Sequence, residues 1–236
     1  MSNEPALDPK APAQSLVTQK QAAPMPLELM PPEFREKTAR FEYIQRQSKA
    51  IIHSDLLPKQ HRDNFSNLII IAQIADRLDM DSLMVAQNLY IIQSKPVWSS
   101  PFLIALIRKS GLYRGIKYNF KDLGPAKFRI GEKEIGFTDK ECQVSAIEIA
   151  TGDSVEGPPV TLTMAYAEGW ITKEGSKWKT LPDLMLRYRA MAFFARTVCP
   201  EVVLGLQSAD EVEDFAVEPT QDTRKPNLFP TPEPQP

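Results

Sequence analysis

Thiol, imidazole and glycine are scarce in this chain: its 236 residues include two cysteines, two histidines and ten glycines. Cys142 and Cys199 alone cannot build a disulfide framework, and a reducing compartment is the expected setting. His53 and His61 fall in helical patterns, with no cysteine or carboxylate at zinc-ligand spacing, so neither reads as a metal ligand or a catalytic base. The glycines form no dinucleotide pattern, no Gly-Lys-Ser/Thr phosphate loop and no Gly-x-Ser-x-Gly elbow. The common oxidoreductase, ATPase and hydrolase classes are thereby set aside. No apolar run approaches the roughly 18 residues that span a bilayer, and the start lacks the apolar centre of a signal peptide. The expectation is a soluble cytoplasmic protein without a membrane partner.

Proline is plentiful and unevenly spread. Of 21 prolines, seven lie in residues 1–32 and six in 219–236, stretches with little apolar periodicity, so both ends are expected to be flexible. The expected organisation is a Pro-rich segment over 1–32, one core domain over 33–214, and an acidic, Pro-rich tail over 215–236. The core is long enough to stand without disulfides or metal.

The net charge of −2 hides a segregated distribution. Residues 35–121 carry 14 Lys/Arg against 7 Asp/Glu, and residues 170–196 carry 6 against 2. Residues 132–156 hold 7 acidic and 2 basic groups, and residues 201–218 hold 6 acidic and no basic groups. Each block alone reads as a solvated face. Two basic and two acidic blocks together also suit a protein that grips a polyanion and contacts copies of itself.

Periodicity predicts helices over about 32–53, 59–77, 81–93 and from Ser99 or Ser100 to near Gly111. From Gly115 the apolar period falls to two: Ile116, Tyr118 and Phe120, then Phe128 and Ile130, then Ile135 and Phe137 alternate with polar residues. These predict short antiparallel strands, continued by 142–150 and 160–167 around Thr151-Gly152-Asp153. Helices, then strands, then a further helix give an α+β fold: a twisted antiparallel sheet packed with helices, a helical N-terminal part and a basic C-terminal helix.

That last helix follows Lys177-Trp178-Lys179, begins at Pro182 with Asp183 in its first turn, and stops before Pro200. Basic and aromatic residues together suit nucleic acid, since cations neutralise phosphates and flat rings stack on bases irrespective of sequence. At about 100° per residue, Arg189 and Arg196 share a side with Met185 and Ala192 and are placed to follow one backbone. Arg187 projects among Met191, Phe194 and Val198, where a guanidinium needs a partner. A solvated face for Arg189 and Arg196 with an internal ion pair for Arg187 is the competing reading.

Two blocks of the chain resemble the RecT family of phage-type single-strand annealing proteins. One is Met80-Asp81-Ser82-Leu83-Met84-Val85-Ala86-Gln87-Asn88-Leu89-Tyr90-Ile91-Ile92-Gln93-Ser94-Lys95-Pro96-Val97-Trp98-Ser99-Ser100 with Phe102-Leu103-Ile104-Ala105. The other is Met185-Leu186-Arg187-Tyr188-Arg189-Ala190, continuing through Phe193-Phe194-Ala195-Arg196 to Pro200-Glu201. The resemblance runs from about Pro32 to Asp214. It implies an ATP-independent recombination protein that coats single-stranded DNA, pairs complementary strands without bond-making chemistry, and assembles into rings or helical filaments. It also implies a companion exonuclease and the host single-strand binding protein as partners, and Mg2+ as an aid to annealing rather than a required cofactor.

The candidate phosphate ligands are Arg187, Arg189 and Arg196 from the helix and Lys177 and Lys179 from the loop before it. Lys95, Arg108, Lys109, Arg114 and Lys117 form a second rank. Trp98 and Trp178, beside basic residues and polar turns, are candidates for base stacking, with core packing as the alternative for both. Two other function classes stay open. Scattered carboxylates can converge into a metal-dependent nuclease, and the acidic stretch Asp210-Glu211-Val212-Glu213-Asp214-Phe215 can recruit partners or compete with DNA for a basic surface.

Overall fold

The computed structural model describes residues 26–215; the ends expected to be flexible, 1–32 and 215–236, lie almost wholly outside them. The chain divides into two compact units, Met1–Arg46 and Gln47–Pro236, the division falling inside the first helix. In the first unit a single 3-10 turn, Leu27–Leu29, precedes α1 (Pro32–Ile51). Arg35 folds back on this turn, donating to the carbonyls of Met30 (2.7 Å) and Glu28 (2.8 Å).

The second unit is α+β. Side-chain caps start its early helices: Asn64 accepts from the Asn67 N–H before α2 (Phe65–Arg77), and Asp81 from the Met84 N–H before α3 (Ser82–Asn88). Ser99 accepts from the Phe102 N–H before α4 (Ser100–Lys109), with Pro101 in its first turn. Each cap satisfies a donor that the helix itself cannot.

Two predicted helices are shorter than their periodicity implied. The second begins at Phe65 rather than Lys59, because Pro58 to Asn64 form successive turns and Asp63 has φ of 58°. The third gives way after Asn88 to a hairpin, β1 (Leu89–Ile92) with β2 (Lys95–Trp98). Leu-Tyr-Ile-Ile fits an extended strand better than a helix, since aromatic and β-branched side chains lose rotamer freedom in helices.

The predicted short strands are instead two long ones, β3 (Tyr113–Ile130) and β4 (Lys133–Glu148), paired antiparallel along their length. Glycine and aspartate stand at two register shifts within β3, between Arg114 and Lys117 and between Asp122 and Gly124. Each adds one residue to β3, and Gly115 (φ 62°) and Gly124 (φ 85°) take up the positive dihedral. On its other edge β4 pairs with β5 (Ser154–Glu156) and β6 (Val160–Thr161), completing a twisted four-stranded sheet with β3 at one side. The strand predicted over 160–167 ends after two residues. Thr161 accepts from the Met164 N–H and starts α5 (Leu162–Ala167).

The basic helix is α6 (Pro182–Val198), starting at the proline the sequence marks. It runs through the core rather than over it: Met185, Leu186, Ala190, Met191, Phe194 and Ala195 are all buried. The acidic α7 (Ala209–Phe215) closes the described chain. The segment after β5 approaches α6 closely at Gly157, where an added Cβ would stand 2.9 Å from the Phe194 Cβ and 3.0 Å from its Cα. Gly157→Ala is therefore expected to cost about 1–3 kcal/mol, as overpacking does, seen as a lower denaturant midpoint with an unchanged slope.

Both cysteines are free and buried. Burial pushes the Cys142 thiol up to about 11 and the Cys199 thiol to about 12, from an ordinary 9.0. The folded protein should thus resist a thiol-specific disulfide reagent at pH 8 and react at both residues when unfolded. Above pH 9 the unfolded chain loses these protons first, so the thiols' contribution to stability should fall as pH rises.

Candidate nucleic-acid interface

β3 pairs only with β4, so its outer edge is open among the described residues. Tyr118 and Phe120 stand opposite Val144 and Cys142, on the face of the sheet that α6 covers. There Arg187, exposed on α6, lays its guanidinium over both rings, 5.5 Å from the Tyr118 centroid and 5.2 Å from that of Phe120. Phe120 itself is 39% exposed. A cation held on aromatic faces keeps its N–H edge free for an anion while its flat face is already ordered.

Further cations gather at the same strand. Burial raises the Tyr118 phenol, while the charges of Arg108 and Arg187 pull it down, so both arginines act on this ring. Arg108 and Arg114 line one depression of about 400 Å³ with Tyr113, Gly115 and Ile116. Because the bulge adds a residue, Arg114 and Lys117 share a face, opposite Ile147 and Ser145. Toward the start of α6, Lys140 pairs with Asp183 at 3.0 Å, one helical turn before Arg187. Lys179 is exposed in the preceding loop, its Nζ donating to the Lys173 carbonyl at 3.0 Å.

Several sequence expectations need correction. Arg187, placed by the wheel in an apolar setting, is exposed, whereas Arg189, placed on the open side, is 2% exposed. Arg189 lies over the Trp170 ring at 4.1 Å and donates to the Asp210 carbonyl at 3.2 Å. Arg196 pairs with the fully buried Glu211 at 2.7 Å. The two arginines expected to follow a DNA backbone thus hold α7 against α6 instead. The acidic stretch does meet the basic helix, but within the fold; Asp210 also accepts from the Ser100 hydroxyl.

For both tryptophans the structure shows the alternative, core packing. Trp98 is wholly buried, its Nε1 donating to the Val203 carbonyl at 3.0 Å, and Trp178 is 1% exposed and packs on Trp170. Lys109 is spent on the end of α2, donating to the carbonyls of Leu78 (2.6 Å) and Asp79 (2.7 Å). Lys95 is exposed on the separate β1–β2 hairpin. Lys177 lines a depression with Glu174 and Asp210, beside the acidic helix. Of the predicted residues, Arg108 and Arg187 meet at Tyr118 and Arg114 shares the Arg108 depression, whereas Lys117 lies on the other face of the sheet.

The sequence reading missed Tyr118, Phe120 and Lys140. The signal was present as Lys117-Tyr118-Asn119-Phe120-Lys121, where cations and rings alternate so that one sheet face carries the rings and the other the charges. Among the described residues no cluster of three or more His, Cys, Asp or Glu is placed to hold a metal ion, and no helix is long and apolar enough to cross a membrane. Comparison of the chain with family models gave no match, and comparison with curated proteins gave none either. The likeness to RecT proteins therefore rests on the two blocks quoted above.

Proposed function

We propose that this protein binds single-stranded DNA without regard to sequence and anneals complementary strands, without ATP and without bond-making chemistry. The observation that carries the reading is the exposed Arg187 guanidinium laid over Tyr118 and Phe120 at the open edge of the sheet. Arg108 acts on the same Tyr118 ring, and Arg114 adjoins it in one depression. Cations over exposed rings favour a strand whose phosphates meet the arginines and whose bases are left partly free. Annealing requires that combination, because the repulsion between two backbones must be cancelled while base edges stay open to a partner. Assembly of many copies along the strand belongs to this reading, with a divalent cation assisting by screening the phosphates.

The test is an annealing assay with the full-length protein. A labelled single strand is coated, its complement is added, and duplex yield and particle size are followed as salt is raised. Tight coating that weakens steeply with salt, followed by accelerated pairing, is the expected result. A protein that leaves the strand uncoated at low salt would sink the reading. So would magnesium-dependent degradation of the strand, which would point to a nuclease.

A further inference from the structure

Next to the Arg187 surface lies an aromatic cleft of about 530 Å³, lined by Ile135, Phe137, Tyr166, Ile171, Trp178 and, at its rim, Lys179. We infer that this cleft takes one unstacked nucleobase of the bound strand in each protomer, an inference that rests on the single-strand binding proposed above.

Two features carry it, the walls and the rim. The walls are flat and apolar: the Phe137 and Tyr166 rings lie 4.4 Å apart at 37°, and Phe128 backs Tyr166 at 5.7 Å and 23°. Trp178, packed on Trp170 beneath, presents only a sliver of its surface. A cleft of this kind desolvates a base or an apolar side chain equally well, so the walls alone do not choose between them.

The rim does. Lys179 and Pro182 border the opening, and Asp183, the residue after Pro182, holds Lys140. The cleft mouth is thus joined to Arg187 along the first turns of α6, with Lys179 and Arg187 as the cations and Lys140 held by Asp183 between them. A strand whose phosphates follow that line carries its bases past the opening; of the six basic residues over 170–196, Arg189 and Arg196 are held at α7, leaving Lys173, Lys177, Lys179 and Arg187 outside those contacts. A lysine at the lip of an aromatic cleft complements a nucleotide, in which an anionic phosphate is joined to a flat base. It offers no such match to an apolar protein side chain.

Stacking depends on π-faces that every base has, so the cleft adds affinity without adding sequence preference. A base held there is withdrawn from pairing, and its release becomes a step that the incoming complement must drive.

The inference separates from the proposed function in one binding experiment. A thymidine oligonucleotide is compared with one of equal length carrying abasic sugars, which keeps the phosphates and removes the bases. Wild-type protein should bind the first about tenfold more tightly, as one to a few stacked bases imply. Phe137→Leu and Tyr166→Leu keep apolar volume and remove a ring. Thr172→Trp, at an exposed rim position, fills the mouth without touching the core. Each should reduce the preference severalfold and leave abasic binding unchanged; Phe120→Leu serves as the comparison, removing a ring outside the cleft.

A full preference retained in folded Thr172→Trp and in either leucine variant would overturn the cleft. It would also be overturned if the preference followed Phe120 alone, or if the variants lost particle size and kept their preference, since a second copy would then be the occupant. Wild-type protein that binds both oligonucleotides equally rejects the cleft alone. Protein that binds neither rejects the proposed function and the cleft together.

Discussion

Arg187→Glu should lower single-strand affinity by tenfold or more at low salt, abolish annealing, and leave thermal unfolding close to that of the wild type. The side chain is exposed and contributes to no core contact beyond the faces of Tyr118 and Phe120, so its loss removes about 0.5–1 kcal/mol of cation–π stabilisation at most. The binding loss is larger because a phosphate contact disappears and a like charge takes its place. Each phosphate neutralised on a single strand contributes about 0.7 to the slope of log affinity against log salt. Arg187→Ala should accordingly flatten that slope by about 0.7 per bound protomer. Arg187→Lys should keep the slope and still bind more weakly, since an ammonium lacks the planar fork that lies on the rings and reaches an anion at once. Equilibrium binding by anisotropy across a salt series measures all three. Arg187→Glu protein that is folded and binds as the wild type does would remove this surface from the DNA path.

What was legible in the sequence was local. The starts of α3, α4 and α6 were marked by Asp81, by Ser99 with Pro101, and by Pro182, because capping and proline geometry involve residues within one turn. The α+β class followed from the change of period at Gly115. The lengths of β3 and β4 did not, because a bulge and a strand break place the same glycine in the sequence, and only the partner strand distinguishes them. The arginines of α6 were misplaced for a related reason. A helical wheel assumes one wet and one dry side, whereas α6 is enclosed by the sheet, α4 and α7, so its exposed residues change from turn to turn. Arg187 and Arg189 point about 160° apart. The wheel separated them correctly and assigned water to the wrong one. Trp98 and Trp178 were drawn toward DNA by their lysine neighbours in sequence, yet in a loop or short strand adjacent residues face opposite ways.

Arg196→Ala should lower the free energy of unfolding by about 3 kcal/mol, the smaller end of the range for breaking a buried ion pair, because Arg196 is itself 42% exposed. The cost arises chiefly from what remains. Glu211 is fully buried, and its second oxygen accepts from the Ser208 N–H at 3.1 Å and from the Ser208 hydroxyl at 3.2 Å. Without the guanidinium, a carboxylate is left in the interior with only neutral donors. Adding Glu211→Gln to the alanine variant should restore about 2 kcal/mol, since the amide oxygen can still accept from Ser208 and no charge is stranded. The recovery distinguishes a stranded charge from a simple loss of packing, which a second substitution would only deepen. Urea unfolding of the wild type, both single variants and the double variant provides the coupling energy, and single-strand binding measured on the same proteins separates stability from function. If Arg196→Ala unfolds like the wild type and instead loses salt-dependent DNA binding, the arginine reaches phosphate after all and its pairing with Glu211 is incidental. If stability falls and binding per folded molecule is kept, α7 is a clasp on the core, and the DNA path is confined to the opposite side of α6, where Arg187 lies.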